Sequence, residues 1–214
     1  ESLAAVEMNE DVLGAPAEAF DAPPFEPLAE PRRERKAEIG APLLVHCAHR
    51  NPSVHEFFDS PMLLTDSVVH EVDIVRWLLE EEIVRVQVRT PRPTSRARPG
   101  LRDPQLVLLE TEGGRIVTVE AFATAGYGYD IRCTVVGESG VAELPVAISS
   151  GFQERFADAY RRELEAWVAG ERGATAWDGY AAARVTEAAV ESLRTGAPVE
   201  VAAASPTPQP PSRR

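Results

Sequence analysis

The chain has 214 residues, of which 44% are hydrophobic and 26% are charged, the composition of a soluble globular protein with room for one domain and its core. The formal net charge of -12 argues against binding to nucleic acid or to an anionic membrane surface, because phosphate groups are bound mainly by clustered cations. No stretch approaches the roughly 18 consecutive apolar residues that a membrane-spanning helix requires.

Both ends of the chain differ in composition from its middle. The first 38 residues hold five prolines and ten acidic against four basic side chains, which predicts a disordered leader. Its richness in Ala, Pro, Arg and Glu is also what a shifted reading frame of a GC-rich gene would produce. The missing initiator methionine suggests that the chain is a fragment. Residues 202–214 are rich in proline and predict a disordered tail. We therefore expect the folded domain to cover residues 39–201.

The middle of the chain begins with a strand and a helix. The stretch "APLLVHCAHRN" (41–51) is a β-rich run, and residues 66–79 predict a helix because their apolar side chains recur along one broad side at helical spacing. Five further strand-like runs follow, and turn signals separate several of them. These runs cover residues 83–89, 105–111, 115–123, 130–137 and 140–146.

Two helices are predicted at the end of the domain. The first, about 152–169, repeats large apolar side chains every three or four residues, and the second, about 178–195, stops at a Gly-x-Pro sequence. Strands in a run with helices before and after them indicate an α+β fold. We predict one open, largely antiparallel β-sheet with helices on one face.

The number and spacing of the cysteines indicate the cellular compartment of the protein. The chain has only Cys47 and Cys133, both in predicted strands, without a C-x-x-C pair that would indicate zinc or redox chemistry. Two buried, reduced thiols are typical of a cytoplasmic protein.

Candidate catalytic chemistry lies in "TDSVVHEVD", residues 65–73. On a helix Asp66 and His70 are four residues apart and Asp73 is three residues beyond His70, so the three side chains share one face. A carboxylate beside an imidazole raises the imidazole pKa and orients the ring, and the other ring nitrogen can then accept a proton. By spacing alone, a solvent-facing helix with an ordinary Asp/His pair is the favoured interpretation. A metal site is a weaker one, since "HEVD" lacks the second histidine of H-E-x-x-H.

Two other stretches carry candidate binding residues. In "HCAHRNP", strand alternation places Cys47, His49 and Asn51 on one face, and His49 and Asn51 at a strand end suit a polyhydroxylated ligand. In "GYGYD", Tyr127 and Tyr129 are expected to share a face, with glycines leaving room above the backbone. A half-buried strand end without function is the alternative for each.

Taken together, these stretches resemble a known family. "IGAPLLVHCAHRNPSV", "TDSVVHEVDIVRWLL", "GYGYDIRCTVVGESG" and "AWDGYAAARVTEAAVESLRTG" resemble, in order, the C-terminal half of inositol 2-dehydrogenases of the Gfo/Idh/MocA oxidoreductase family. The resemblance implies a C-terminal α/β domain that binds a cyclitol or sugar and forms the oligomer through its sheet. It also implies a Rossmann domain that binds NAD and precedes this domain in the family.

The resemblance assigns roles by position. Asp66 and His70 match the family's catalytic aspartate and histidine, so His70 would take the hydroxyl proton while hydride leaves the same carbon. The positions that match cyclitol-contacting residues are His49, Asn51, Ser67 and Tyr129. Asp73 matches a common aspartate of the family, to which we assign either a structural role or a role in supporting the residues that contact the substrate.

The sequence does not show the family's cofactor half. Gly126 and Gly128 come closest to the G-x-G-x-x-G spacing, but Ile131 occupies its last position, and the single lysine, Lys36, does not lie in the family's E-K-P motif. We therefore expect no Rossmann domain and no NAD site in this chain, and no turnover by the chain alone. Two alternatives remain: a non-catalytic domain that co-assembles with full-length dehydrogenase subunits, and a metal-dependent enzyme using Asp66, His70 and Asp73.

Overall fold

The computed structural model describes residues 38–144, 148–170 and 173–202. The expectations of a disordered leader and tail fall almost entirely outside these ranges. The described residues form one seven-stranded sheet in the order β6-β5-β1-β4-β3-β2-β7. Its strands are β1 (Pro42–Arg50), β2 (Ile83–Arg89), β3 (Gln105–Thr111), β4 (Ile116–Phe122), β5 (Asp130–Gly137), β6 (Val141–Glu143) and β7 (Val199–Glu200).

The sheet is open and mixed, as the sequence predicts. Only β1 and β4 run parallel to each other, and all other neighbouring strands are antiparallel. The predicted α+β class with a largely antiparallel sheet is confirmed. The strand predicted at 140–146 is shorter, because only Val141–Glu143 pairs with β5 and residues 145–147 lie outside the described ranges.

Helices cover one face of this sheet. A π-helical turn, Leu63–Val68, leads into α1 (Val69–Leu79), and the chain later forms α2 (Phe152–Arg155), α3 (Ala157–Val168) and α4 (Ala176–Thr195). The core lies between the sheet and these helices, where inward residues of β1 such as Val45 and Cys47 meet buried α1 residues such as Val72 and Val75. Side chains on the other face of β1, such as Leu44 and His46, remain exposed.

The predicted helix 152–169 is interrupted. It breaks at Phe156, whose φ of -113° and ψ of 20° are not helical, and the chain resumes as α3. Phe156 is buried, but Leu164 and Trp167 are 61% and 73% exposed, so the apolar periodicity of this segment does not correspond to one buried stripe.

Arg76 ties the helices to the start of β2. Its side chain is 7% exposed, donates to both carboxylate oxygens of Glu82 at 2.7 and 2.8 Å, and also reaches the backbone carbonyl of Asp178 in α4. The helix layer is thereby fixed to the sheet at the end of α1.

Gly128 shapes the entry to β5. Its φ of +140° is in a region that L-residues rarely adopt, and a Cβ there would lie 2.5 Å from Cγ2 of Ile148 and 3.0 Å from the carbonyl oxygen of Ser149. Ser149 forms an isolated β-bridge with Tyr129. We expect Gly128→Ala to destabilise the fold by about 1–3 kcal/mol through backbone strain and this close contact.

Urea unfolding of the full chain measures this effect. Gly179→Ala is the matched control, because Gly179 lies in α4 with open space where its Cβ would be. That variant should be neutral or more stable by up to about 1 kcal/mol, as expected for alanine in a helix. Equal stability of Gly128→Ala and the parent chain would contradict the strain argument.

Candidate active site

A cavity of about 510 Å³ lies on the helix-covered side, where β1 ends and β5 begins. The end of β1 contributes His49 and Asn51, the start of β5 contributes Tyr129, and the helix before β2 contributes Asp66, Ser67 and His70. The structure therefore brings all six predicted site residues to one cavity, although they are separated by up to eighty positions along the chain.

A widened helical turn places Asp66 and Ser67 at this cavity. The predicted helix begins earlier than expected, with the π-helical turn Leu63–Val68, and becomes α-helical only at Val69. Leu63 and Leu64 are fully buried and anchor the turn in the core. Turns of this kind are frequent at functional sites because they redirect the side chains of a helix.

His70 lies at the cavity wall with its ring nitrogens available. In the described part of the chain, neither nitrogen has a hydrogen-bond partner, and no hydrogen bond joins His70 to Asp66. Burial lowers the pKa of His70 below its ordinary value of 6.5, and the opposing charges of Glu71 and Asp66 do not overcome this effect. The neighbouring carboxylates raise this pKa, as expected from the sequence, but burial outweighs them and the net shift is downward. A neutral imidazole with a free nitrogen can accept a proton at neutral pH.

Glu71 is the main site residue that sequence reasoning missed. It is 1% exposed, lines the cavity and hydrogen-bonds to Nδ1 of His49 through Oε1 at 2.9 Å. A signal was present: on a helix, Glu71 falls on the same side as the buried residues Ser67 and Val75, four positions away in each direction. A carboxylate on a buried face requires a partner, and the inward position of His49 on β1 supplies one.

The two tyrosines of "GYGYD" lie in different environments, one buried and one exposed. Tyr129 is 5% exposed and packs edge-on against the His49 ring at a centroid distance of 5.7 Å. Tyr127 is 52% exposed and donates from its hydroxyl to Asp130 at 3.1 Å. The prediction that they share a face is wrong, because the φ of +140° at Gly128 interrupts the alternation between them.

The hydroxyl of Tyr129 remains a donor at neutral pH. Burial raises its pKa above the ordinary value of 10.0, and the charge of Glu71 raises it further. Aromatic side chains of Phe57, Phe58, Phe152, Phe156 and Tyr160 also line the cavity, and the Phe156 ring packs against that of Tyr129. The site thus combines polar groups with apolar ring faces, an arrangement suited to a ring with hydroxyl groups on its edge and C–H groups on its faces.

Asp73 lies outside the cavity lining. Its carboxylate is 3.9 Å from Nη1 of Arg76, which fits the structural role assigned to it. Within the described ranges, no three His, Cys, Asp or Glu side chains come together as metal ligands, so Asp66, His70 and Asp73 do not form the arrangement that the metal alternative requires.

The fold and cavity can be compared with known families. The family model for the GFO/IDH/MocA C-terminal domain matches residues 34–143, and that for the oxidoreductase family C-terminal alpha/beta domain matches residues 147–201. The chain belongs to the GFO/IDH/MocA family. The resemblance drawn from the sequence motifs is thereby confirmed.

Curated relatives in this family are inositol dehydrogenases. Inositol 2-dehydrogenase 3 of Saccharopolyspora erythraea is 46% identical in a match that covers 77% of this chain and 54% of that protein. Inositol 2-dehydrogenase of Pseudomonas fluorescens is 47% identical in a match that covers 76% of this chain and 54% of that protein. The chain therefore spans about half the length of the curated relatives that it matches.

A solved structure has a fold similar to that of this chain. The myo-inositol dehydrogenase of Lactobacillus casei, crystallised in complex with NAD(H) and myo-inositol, superposes with a TM-score of 0.76 at 32% identity. The match covers 83% of this chain and 59% of that one. In the GFO/IDH/MocA family this chain thus corresponds to the C-terminal α/β region.

None of the helices in the described ranges is long and apolar enough to cross a membrane.

Cys47 and Cys133 face each other across β1 and β5, buried and unbridged, with their sulfur atoms 3.8 Å apart.

Proposed function

We propose that this chain is the substrate-binding and proton-accepting part of an NAD-dependent inositol 2-dehydrogenase, which oxidises a cyclitol or sugar hydroxyl to a ketone. The observation that carries the proposal is the convergence of His49, Asn51, Asp66, His70 and Tyr129 on one cavity. In the described part of the chain, their side chains leave hydrogen-bonding groups without protein partners on that cavity. The family and the inositol dehydrogenases that it resembles support this substrate class.

The residues take the following roles in this proposal. His70 accepts the proton of the hydroxyl that is oxidised, because its lowered pKa keeps it neutral at neutral pH. Asp66, exposed at the cavity, accepts a hydrogen bond from a substrate hydroxyl and supports the positive charge that develops on His70. Tyr129 donates from its hydroxyl, and Asn51 and Ser67 offer both donors and acceptors to the remaining hydroxyl groups.

The described residues do not fit NAD itself. A dinucleotide site needs a glycine-rich turn between a strand and a helix N-terminus, whereas Gly126 and Gly128 connect β4 to β5. We therefore propose that NAD is held outside these residues, on a cofactor-binding domain, where it supplies the hydride acceptor. The chain alone would bind the polyol without oxidising it.

The exposed sheet face supports assembly. It presents half-exposed apolar side chains, including Leu44 and Leu106 at 37% and 44% exposure, on the side that no described helix covers. We propose that copies of the chain, or a copy and a full-length dehydrogenase subunit, associate through this face. The buried, unbridged cysteines are consistent with a cytoplasmic location.

A chimera tests the proposal. The part of the Saccharopolyspora erythraea relative that precedes the matched region is joined ahead of residue 39, and NADH formation is followed with myo-inositol as substrate. We expect inositol-dependent NADH formation by the chimera and none by the 214-residue chain alone, while the chain alone shows myo-inositol-dependent NMR shifts at cavity residues. Light scattering on the chimera reports its assembly.

Two results would contradict the proposal. NADH formation by the purified chain alone would place a cofactor site in it. A folded chimera that binds NAD but neither binds nor oxidises myo-inositol or another cyclitol would remove the assigned substrate class.

A further inference from the structure

Glu71 is buried more deeply than any other carboxylate at the cavity. Its side chain is 2% exposed, and its one hydrogen bond in the described part of the chain joins Oε1 to Nδ1 of His49 at 2.9 Å. Oε2 is buried without a hydrogen-bond partner there. A buried carboxylate is costly unless it is paired, so this placement needs a compensating role.

The hydrogen bond determines the protonation pattern of His49. An ionised carboxylate only accepts hydrogen bonds, so an ionised Glu71 requires that Nδ1 of His49 carries the proton and donates it across this contact. In the neutral ring, Nε2 is then left as an acceptor. Nε2 has no partner among the described residues, yet it is not one of the buried partnerless atoms, so it is accessible from the cavity that the ring lines.

The neighbours of His49 restrict the ring further. Tyr129 packs edge-on against it, and the His70 ring lies nearly parallel, tilted by 16°, with the centroids 6.2 Å apart. The two imidazoles therefore face the same cavity without a direct hydrogen bond between them.

We propose that Glu71 is a positioning residue that fixes His49 as a hydrogen-bond acceptor for a substrate hydroxyl, next to the hydroxyl that His70 deprotonates. This inference rests on the proposed function for the identity of the ligand. His49 then distinguishes a polyol with two neighbouring hydroxyl groups from one in which the second group is missing or is an acceptor. Without Glu71, the ring would exchange between tautomers and would donate from Nε2 in part of the population.

The tautomer of His49 is measured directly in the full chain. Nitrogen NMR of the histidine-labelled protein should show His49 with its proton on Nδ1. Glu71→Met removes the acceptor at similar volume, and we expect it to populate the Nε2-protonated form. Glu112→Gln, which removes an exposed carboxylate far along the chain, should leave the His49 signals unchanged.

Titration with myo-inositol measures the consequence for binding. Loss of one oriented hydrogen bond should weaken binding by roughly tenfold in Glu71→Met. Glu71→Gln, whose amide oxygen can still accept from Nδ1, should recover part of the affinity. In a His49→Leu background, Glu71→Met should have little further effect, because the residue acts through the ring that has been removed.

The outcomes separate this inference from the proposed function. If the parent chain binds no myo-inositol, the proposed ligand is wrong and the tautomer comparison alone decides the role of Glu71. An unchanged His49 tautomer in a folded Glu71→Met variant overturns the inference. So does a weakening of myo-inositol binding by Glu71→Met that is equally large with and without His49.

Discussion

His70→Gln should reduce inositol oxidation by the chimera by about 10²- to 10⁴-fold, the range typical for loss of a general base. Glutamine fills a similar space and keeps hydrogen-bonding capacity, but it cannot take a proton at neutral pH. Binding of myo-inositol should change little, because the substrate retains its contacts with the rest of the cavity. The effect is therefore expected in kcat, which steady-state NADH formation measures.

The pH dependence of this reaction follows from the environment of His70. Burial lowers its pKa below 6.5, so the imidazole is neutral at neutral pH and becomes protonated only under more acidic conditions. The rate should fall as the pH falls through this lowered pKa, since imidazolium cannot accept a proton. Burial and the neighbouring groups Glu71, His49, Asp66 and Asp73 all act on the same ring, so the position of this limb reports their combined effect.

A matched control uses a histidine on the other face of the sheet. His46 hydrogen-bonds to Thr118 at 2.8 Å and does not line the cavity. His46→Gln should retain the rate and the acidic limb, whereas His70→Gln should lose both. If His70→Gln kept its rate and the same acidic limb, another group would be the base.

The order and type of the elements could be read from the sequence because their patterns are local. The strands at 83–89, 105–111 and 130–137 have the predicted bounds, since their strand-like runs are local and turn residues mark most of their ends. The break at Phe156 and the π-helical turn at Leu63–Val68 could not be read, because a repeat of three to four residues does not distinguish a continuous helix from an interrupted or widened one.

Site residues could be predicted where they lie on a strand or helix whose sequence shows a clear period. His49 and His70 both reach the cavity from periodic elements, and the family resemblance placed them in one site. Glu71 was not predicted, because the Asp66–His70 spacing gives no role to the carboxylate next to His70. The net pKa shift of His70 could not be read from the sequence, because the nearby carboxylates raise this pKa as expected while burial, which depends on tertiary packing, lowers it by more.

Asp130→Ala should lower the free energy of unfolding by about 2–3 kcal/mol, because it removes the buried carboxylate that is the common acceptor of a charge cluster. The Asp130 side chain is 0% exposed and accepts hydrogen bonds from Arg50, Arg132 and the hydroxyl of Tyr127. Arg50 retains Glu120 as a partner, which keeps the loss below that of a fully orphaned charge. Urea unfolding of the full chain measures the change.

The same cluster gives a pH dependence with a defined sign. Burial works to raise the pKa of Asp130, but hydrogen bonds from Arg132 and Arg50 outweigh it and hold the pKa below its ordinary value of 3.8. A carboxylate with a lowered pKa in the folded state stabilises the fold above its unfolded-state value and loses this contribution as the pH falls through the folded-state value. The stability difference between the parent chain and Asp130→Ala should therefore be constant near neutral pH and shrink below about pH 3.8.

Glu110→Gln is the matched control for this cluster. Glu110 pairs with Arg85 at 3.0 Å, but both side chains are solvent-exposed, at 35% and 44%, and such pairs contribute about 0–1 kcal/mol. Asp130 lies between Tyr129 and Ile131, which both line the cavity. Asp130→Ala should therefore weaken myo-inositol binding as well as lower the stability of the fold. Equal effects of the two substitutions on stability would show that the buried cluster contributes no more than a surface ion pair, and the start of β5 would then depend on the backbone ladder with β1 for its position.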